Sequence, residues 1–141
     1  AGFDYARTIE KFHRTMLADP FQMPTTIQFY PHEHPPPRSV LGKARSLVVR
    51  NSIGRGDWQR TKDLYSVFHG KETFTSRLQA MLDYVCFRGG MFHLWGHSWE
   101  LESFDGWRQL DEFLRYAAER IPVEGRLNNR ELLQYAAANS G

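Results

Sequence analysis

The feature that most constrains this chain runs from Thr73 to Trp95. Over 73–90, "TFTSRLQAMLDYVCFRGG" sets Phe74, Leu78, Met81, Leu82 and Val85 on one stripe, the spacing an amphipathic helix buries, and closes on the pair Gly89 and Gly90. "MFHLW" (91–95) follows at once without polar alternation. A strand of that kind is buried on both faces, as parallel strands flanked by helices are; antiparallel strands with one wet face alternate instead. A helix feeding directly into such a strand predicts α/β architecture, with parallel strands and right-handed crossovers.

The other segments supply the partners. "TTIQFYPH" (25–32) is β-branched and aromatic, puts Ile27 and Phe29 on one face, and stops at "HEHPPP", so it reads as a second strand with a stiff exit. "YARTI" (5–9) reads as a shorter strand running into a loop that Pro20 and Pro24 interrupt. Residues 38–53 are compatible with a helix closed by Gly54 and Gly56. Asp57 can cap "WQRTKDLYSVFHG", where Trp58, Thr61, Leu64, Tyr65 and Phe68 recur at helical spacing up to Gly70. In "SFDGWRQLDEFLRYAAER" (103–120), Ser103 is available as cap, Trp107, Leu110, Phe113, Leu114 and Ala117 make the apolar face, and Pro122 stops the helix. Asn128 and Glu131 have the spacing of a capping box at the start of a terminal helix.

With 141 residues, no internal repeat and no linker, the expectation is one domain, or part of one, over 1–141. Three or four parallel strands leave an open sheet edge that something must cover.

Composition removes several function classes. A net charge of +2 with both signs interspersed gives no field that calls for nucleic acid or an anionic membrane, and no apolar run approaches the length of a membrane span. The basic residues between Arg38 and Arg60 read as a solvated face. Cys86 is the sole cysteine, so no internal disulfide can form; at the end of an apolar helix face it reads as core. Phosphate-binding glycine loops and a Gly-x-Ser-x-Gly elbow are missing, the latter because "GHSWE" lacks the second glycine. His32 and His34 of "HEH" project to the same side of an extended backbone, as metal ligands or as part of a rigid polar loop. His13 and His69 have no supporting neighbours, and Asp57 in "GRGDW" is explained as a helix cap.

The chemistry concentrates in "MFHLWGHSWE" (91–100). In a strand over 91–97, Met91, His93, Trp95 and His97 share one side, and Phe92, Leu94 and Gly96 the other. Reactive groups in α/β folds gather at the carboxyl ends of strands, which favours His97 over His93; within the apolar run, His93 reads as a satisfied core residue. Gly96 permits close approach of another backbone or a ligand. Trp95 and Trp99 are either packing residues or broad faces on which a sugar ring stacks. Glu100 is either part of a helix entry or a group that orients an imidazole or takes a proton.

These residues carry a resemblance. "GGMFHLWGHSWELESFDGWRQLDEFLRYAAE", preceded by "GFDYARTI" and "TTIQFYPH", resembles the C-terminal half of the polysaccharide deacetylase family, metal-dependent carbohydrate esterases related to the nodulation chitooligosaccharide deacetylases. The likeness is specific mainly over 89–101. It implies the C-terminal part of an irregular (β/α)7 barrel, hydrolysis of N- or O-acetyl groups on a carbohydrate, and a zinc-like divalent metal in the complete domain. His97 matches the family's general acid at the end of the last core strand, and Trp95 the hydrophobic wall around the acetyl group. The family's Thr-Phe-Asp-Asp motif, which holds its catalytic and metal aspartates, and its Arg-x-Pro-Tyr motif do not occur in this sequence; no His-x-x-x-His metal pair stands ahead of the last strand. The resemblance therefore implies a chain that supplies the acid and needs an N-terminal half for base and metal. The alternative is a non-catalytic α/β interaction domain that self-associates or binds a protein, sheltering its sheet edge.

Overall fold

A computed structural model of the chain describes residues 2, 5–8, 14, 19–29 and 58–138. The proposed helix over 38–53, the histidines of "HEH", His13 and Asp57 lie outside the described residues.

Two short strands pair in parallel: β1 (Ile27–Gln28) and β2 (Leu94–Trp95), with Ile27 opposite Leu94 and Gln28 opposite Trp95. The helices are α1 (Trp58–Phe68), α2 (Phe74–Arg88), α3 (Ser98–Ser103), α4 (Trp107–Arg120) and α5 (Asn129–Ala138). Short 3-10 turns cover Pro20–Gln22 and Val123–Gly125. Helices and a parallel strand pair make this an α/β arrangement. The segment expected to be a strand over 5–9 enters as a single parallel bridge, Arg7 opposite Met23.

The core grows from the α2 stripe. Phe74, Leu78, Met81, Leu82 and Val85 are buried together with Ile27 and Phe29 from the β1 segment, Phe68 from α1, Leu101 from α3 and Phe113 from α4. Phe29 meets Phe74 edge to face, ring centroids 5.1 Å apart. Burying ten such side chains is the dominant favourable term for a chain of this size.

Both ends of α2 are satisfied locally. The Thr73 side chain accepts from Ser76 N–H at 3.1 Å, a cap that occupies one orphan donor. At the other end Gly89 takes φ +73°, and the Arg14 guanidinium donates to the Gly89 carbonyl at 2.9 Å while the Arg14 carbonyl accepts from Met91 N–H at 2.7 Å. Arg14 thus ties the helix exit to the start of the strand segment.

Helices α1, α2 and α4 are clasped by tyrosine–aspartate pairs. Tyr84 of α2 donates to Asp63 of α1 at 3.0 Å, and Tyr116 of α4 donates to Asp83 of α2 at 2.6 Å, with Arg120 reaching the same carboxylate at 3.1 Å.

Five sequence expectations are corrected. Ser103 is not the cap of α4: it ends α3, its hydroxyl donating to the Trp99 carbonyl, and α4 starts after Gly106. Leu114 and Trp107 lie outside the core, 52% and 46% exposed. Cys86 is exposed too, because it falls off the α2 stripe that Leu82 and Val85 occupy. Tyr65 of α1 is likewise on the surface.

Candidate functional site

The β2 strand is held by a polar seam on its β1 side. Buried Thr26 accepts from His93 N–H at 2.8 Å through its hydroxyl, which also lies 3.2 Å from the Met91 carbonyl, and its own N–H donates to the His93 carbonyl at 3.0 Å. His93 is buried, with Nδ1 3.0 Å from the Pro24 carbonyl. Burial pushes this imidazole below its ordinary value, the Pro24 bond opposes that, and the charge of Arg7 adds to it. His93 is a satisfied core residue.

Beyond Trp95 the chain leaves the sheet. Phe29 N–H donates to the Trp95 carbonyl at 2.6 Å, and Gly96 lies so close that a Cβ there would stand 3.1 Å from the Phe29 carbonyl oxygen. The close approach expected at Gly96 is therefore to backbone. His97 is the N-cap residue of α3, with extended backbone, its carbonyl accepting from the N–H groups of Glu100 and Leu101 at 3.1 and 3.3 Å. Helix α3 has no sequence signature of its own because it is six residues long and follows the strand after only Gly96 and His97. It stops where Asp105 adopts φ +50°, closed by Gly106 N–H on the Leu101 carbonyl at 2.8 Å, the bond of a Schellman end.

This exit places His97 in the open at the carboxyl end of β2, inside an aromatic row. Its ring stacks on Trp99 with centroids 5.5 Å apart and planes at 19°, and meets Trp95 edge-on at 5.4 Å. Trp99 is 60% exposed; Trp95 is half-buried. Glu100 points the other way: it is 4% exposed and its Oε2 is buried without a hydrogen-bond partner, as is Trp95 Nε1. The structure thus brings His97, Trp95 and Trp99 together, and sends Glu100 into the interior.

The chain's one His-x-x-x-His spacing is His93–His97 itself. It is no metal pair. Four residues of extended backbone span roughly 13 Å, and His93 is committed to Pro24. Among the described residues no three histidine, cysteine, aspartate or glutamate side chains come together in a way that could hold a metal ion, so these residues do not fit a metal centre. A shallow groove of about 410 Å³ between α2 and α4, lined by Gln79, Asp83, Phe87 and Tyr116 among others, includes none of residues 92–100. No described helix is long and apolar enough to cross a membrane.

No family model, no curated protein and no solved structure matches this chain.

Proposed function

We propose that this chain is the C-terminal part of a polysaccharide deacetylase-like enzyme, in which His97 is the proton donor to the departing group of an acetylated sugar. One observation carries the reading: an exposed imidazole at the carboxyl end of a parallel strand, flanked by two indoles. In that position an imidazolium gives its proton to the amine or alkoxide as its bond to the acetyl carbon breaks. Trp95 walls the acetyl group, and exposed Trp99 offers a face for a pyranose ring. β1 and β2 with their helices are then the closing part of an irregular (β/α)7 barrel. The base and the divalent metal of such a centre belong to an N-terminal half.

The test is acetate release by the complete gene product from N-acetylated chitooligosaccharides and O-acetylated xylan, with added zinc or another divalent ion. Release that falls by about 100-fold or more in His97→Ala fits a general acid. No release from either polymer, or a His97→Ala enzyme as fast as the parent, removes the reading.

A further inference from the structure

Helix α4 keeps a second apolar stripe outside the core. Phe113 is buried, while Trp107 and Leu114 are 46% and 52% exposed and Ala118 is exposed as well. Positions 107, 114 and 118 are seven and eleven apart, which lines them up on a helix of 3.6 residues per turn, roughly a third of a turn round from Phe113. Beside this line Asp111 and Arg115 form an exposed ion pair at 2.9 Å.

We propose that this stripe docks against the same stripe of a second copy of the chain, with the two α4 helices antiparallel about a twofold axis level with Phe113. In that register a residue n positions before 113 faces the residue n positions after it on the other helix. Asp111 then faces the second copy's Arg115, and the reverse pair forms by symmetry, so each charge gains a second opposite partner. The two Leu114 side chains flank the axis. Trp107 comes within one residue of the second copy's Ala118, a large side chain over a small one. Parallel pairing in register would set Asp111 against Asp111 and Arg115 against Arg115, so the charges select the antiparallel, closed arrangement. The contact rests on one helix per copy and belongs to the small, transient class, with a dissociation constant on the order of 10 µM.

Sedimentation velocity on the full chain, over about 1 to 200 µM to bracket that constant, tests it. The expected result is a monomer–dimer equilibrium in the wild type and a monomer throughout for Leu114→Glu, a substitution at an exposed position. Asp111→Arg alone and Arg115→Asp alone each face like charge across the axis and weaken the dimer by about tenfold or more. Mixing the two variants restores a heterodimer, because the arginine introduced at position 111 of one meets the aspartate introduced at position 115 of the other, and the unchanged Arg115 of the first meets the unchanged Asp111 of the second. A wild type that stays monomeric at the highest concentration, a dimer indifferent to Leu114→Glu, or a mixture no tighter than its components overturns the proposal.

Discussion

The Nδ1 of His93 and the carbonyl of Pro24 lie 3.0 Å apart in the buried seam between the strand segments. A carbonyl only accepts, so the ring carries a proton on Nδ1, and burial disfavours a second one on Nε2. Burial holds the folded-state imidazole below its ordinary value of 6.5, whereas in the unfolded chain it titrates at that value. As pH falls through the mid-sixes the unfolded state takes up the proton first, so stability is lost downward from that point and levels off below the folded pKa. Urea unfolding at pH 7.5 and pH 5.0 is expected to show a larger loss for the wild type than for His93→Gln. Equal losses would place the histidine in contact with water.

Gly90 separates two kinds of glycine at the end of α2. It has φ +120°, and a Cβ there would run into the Arg14 carbonyl, whereas Gly89 has φ +73° with open space around it. Gly89→Ala is expected to cost about 2 kcal/mol, because φ +73° with ψ 160° is a backbone region essentially reserved for glycine. Gly90→Ala adds a backbone clash and breaks the Arg14 tie to Met91, costing roughly 3 kcal/mol or more. Thermal unfolding of the two variants side by side checks the order.

What the sequence makes legible here is what one period or one local bond determines. The α2 stripe is visible because Phe74, Leu78 and Val85 repeat at the helical interval, and the α5 start because Asn128 and Glu131 exchange hydrogen bonds, 2.8 Å one way and 3.0 Å the other. Helix α3 is not, since six residues complete less than two turns and leave no period to detect. The buried face of α4 is two residues narrower than its apolar pattern: Leu114 and Trp107 share the helical interval and stay exposed, while the buried arc centres on Phe113. At the site, Trp95 and His97 on one side follow from alternation along an extended chain, while the place of Trp99 against His97 and the inward turn of Glu100 depend on α3 beginning at Ser98.

That narrower face has a measurable consequence. Phe113→Ala empties a site that is 1% exposed and is expected to cost about 3 to 5 kcal/mol. Leu114→Ala, next door and half in water, is expected to cost less than about 1 kcal/mol in dilute solution. Comparable losses in urea unfolding would return Leu114 to the core.

Glu100 has the environment of a residue retained at some expense to stability. Its backbone N–H is satisfied by the His97 carbonyl at 3.1 Å, yet its side chain is 4% exposed and Oε2 finds no partner, beside a core that includes Leu101. An unpartnered buried polar atom costs about 1 to 3 kcal/mol, more when it carries charge. Glu100→Met keeps the length of the side chain and removes the orphan oxygen, so it is expected to raise stability by about 1 kcal/mol or more, whereas Leu101→Ala lowers it by about 2 kcal/mol or more. If Glu100 also serves the chemistry at His97, acetate release by the complete gene product falls in the same Met variant that melts higher, the opposition expected where an active site stores instability. A Met variant that melts lower than the wild type would mean that the carboxylate has a partner in solution, and the inward placement of Glu100 would then be wrong.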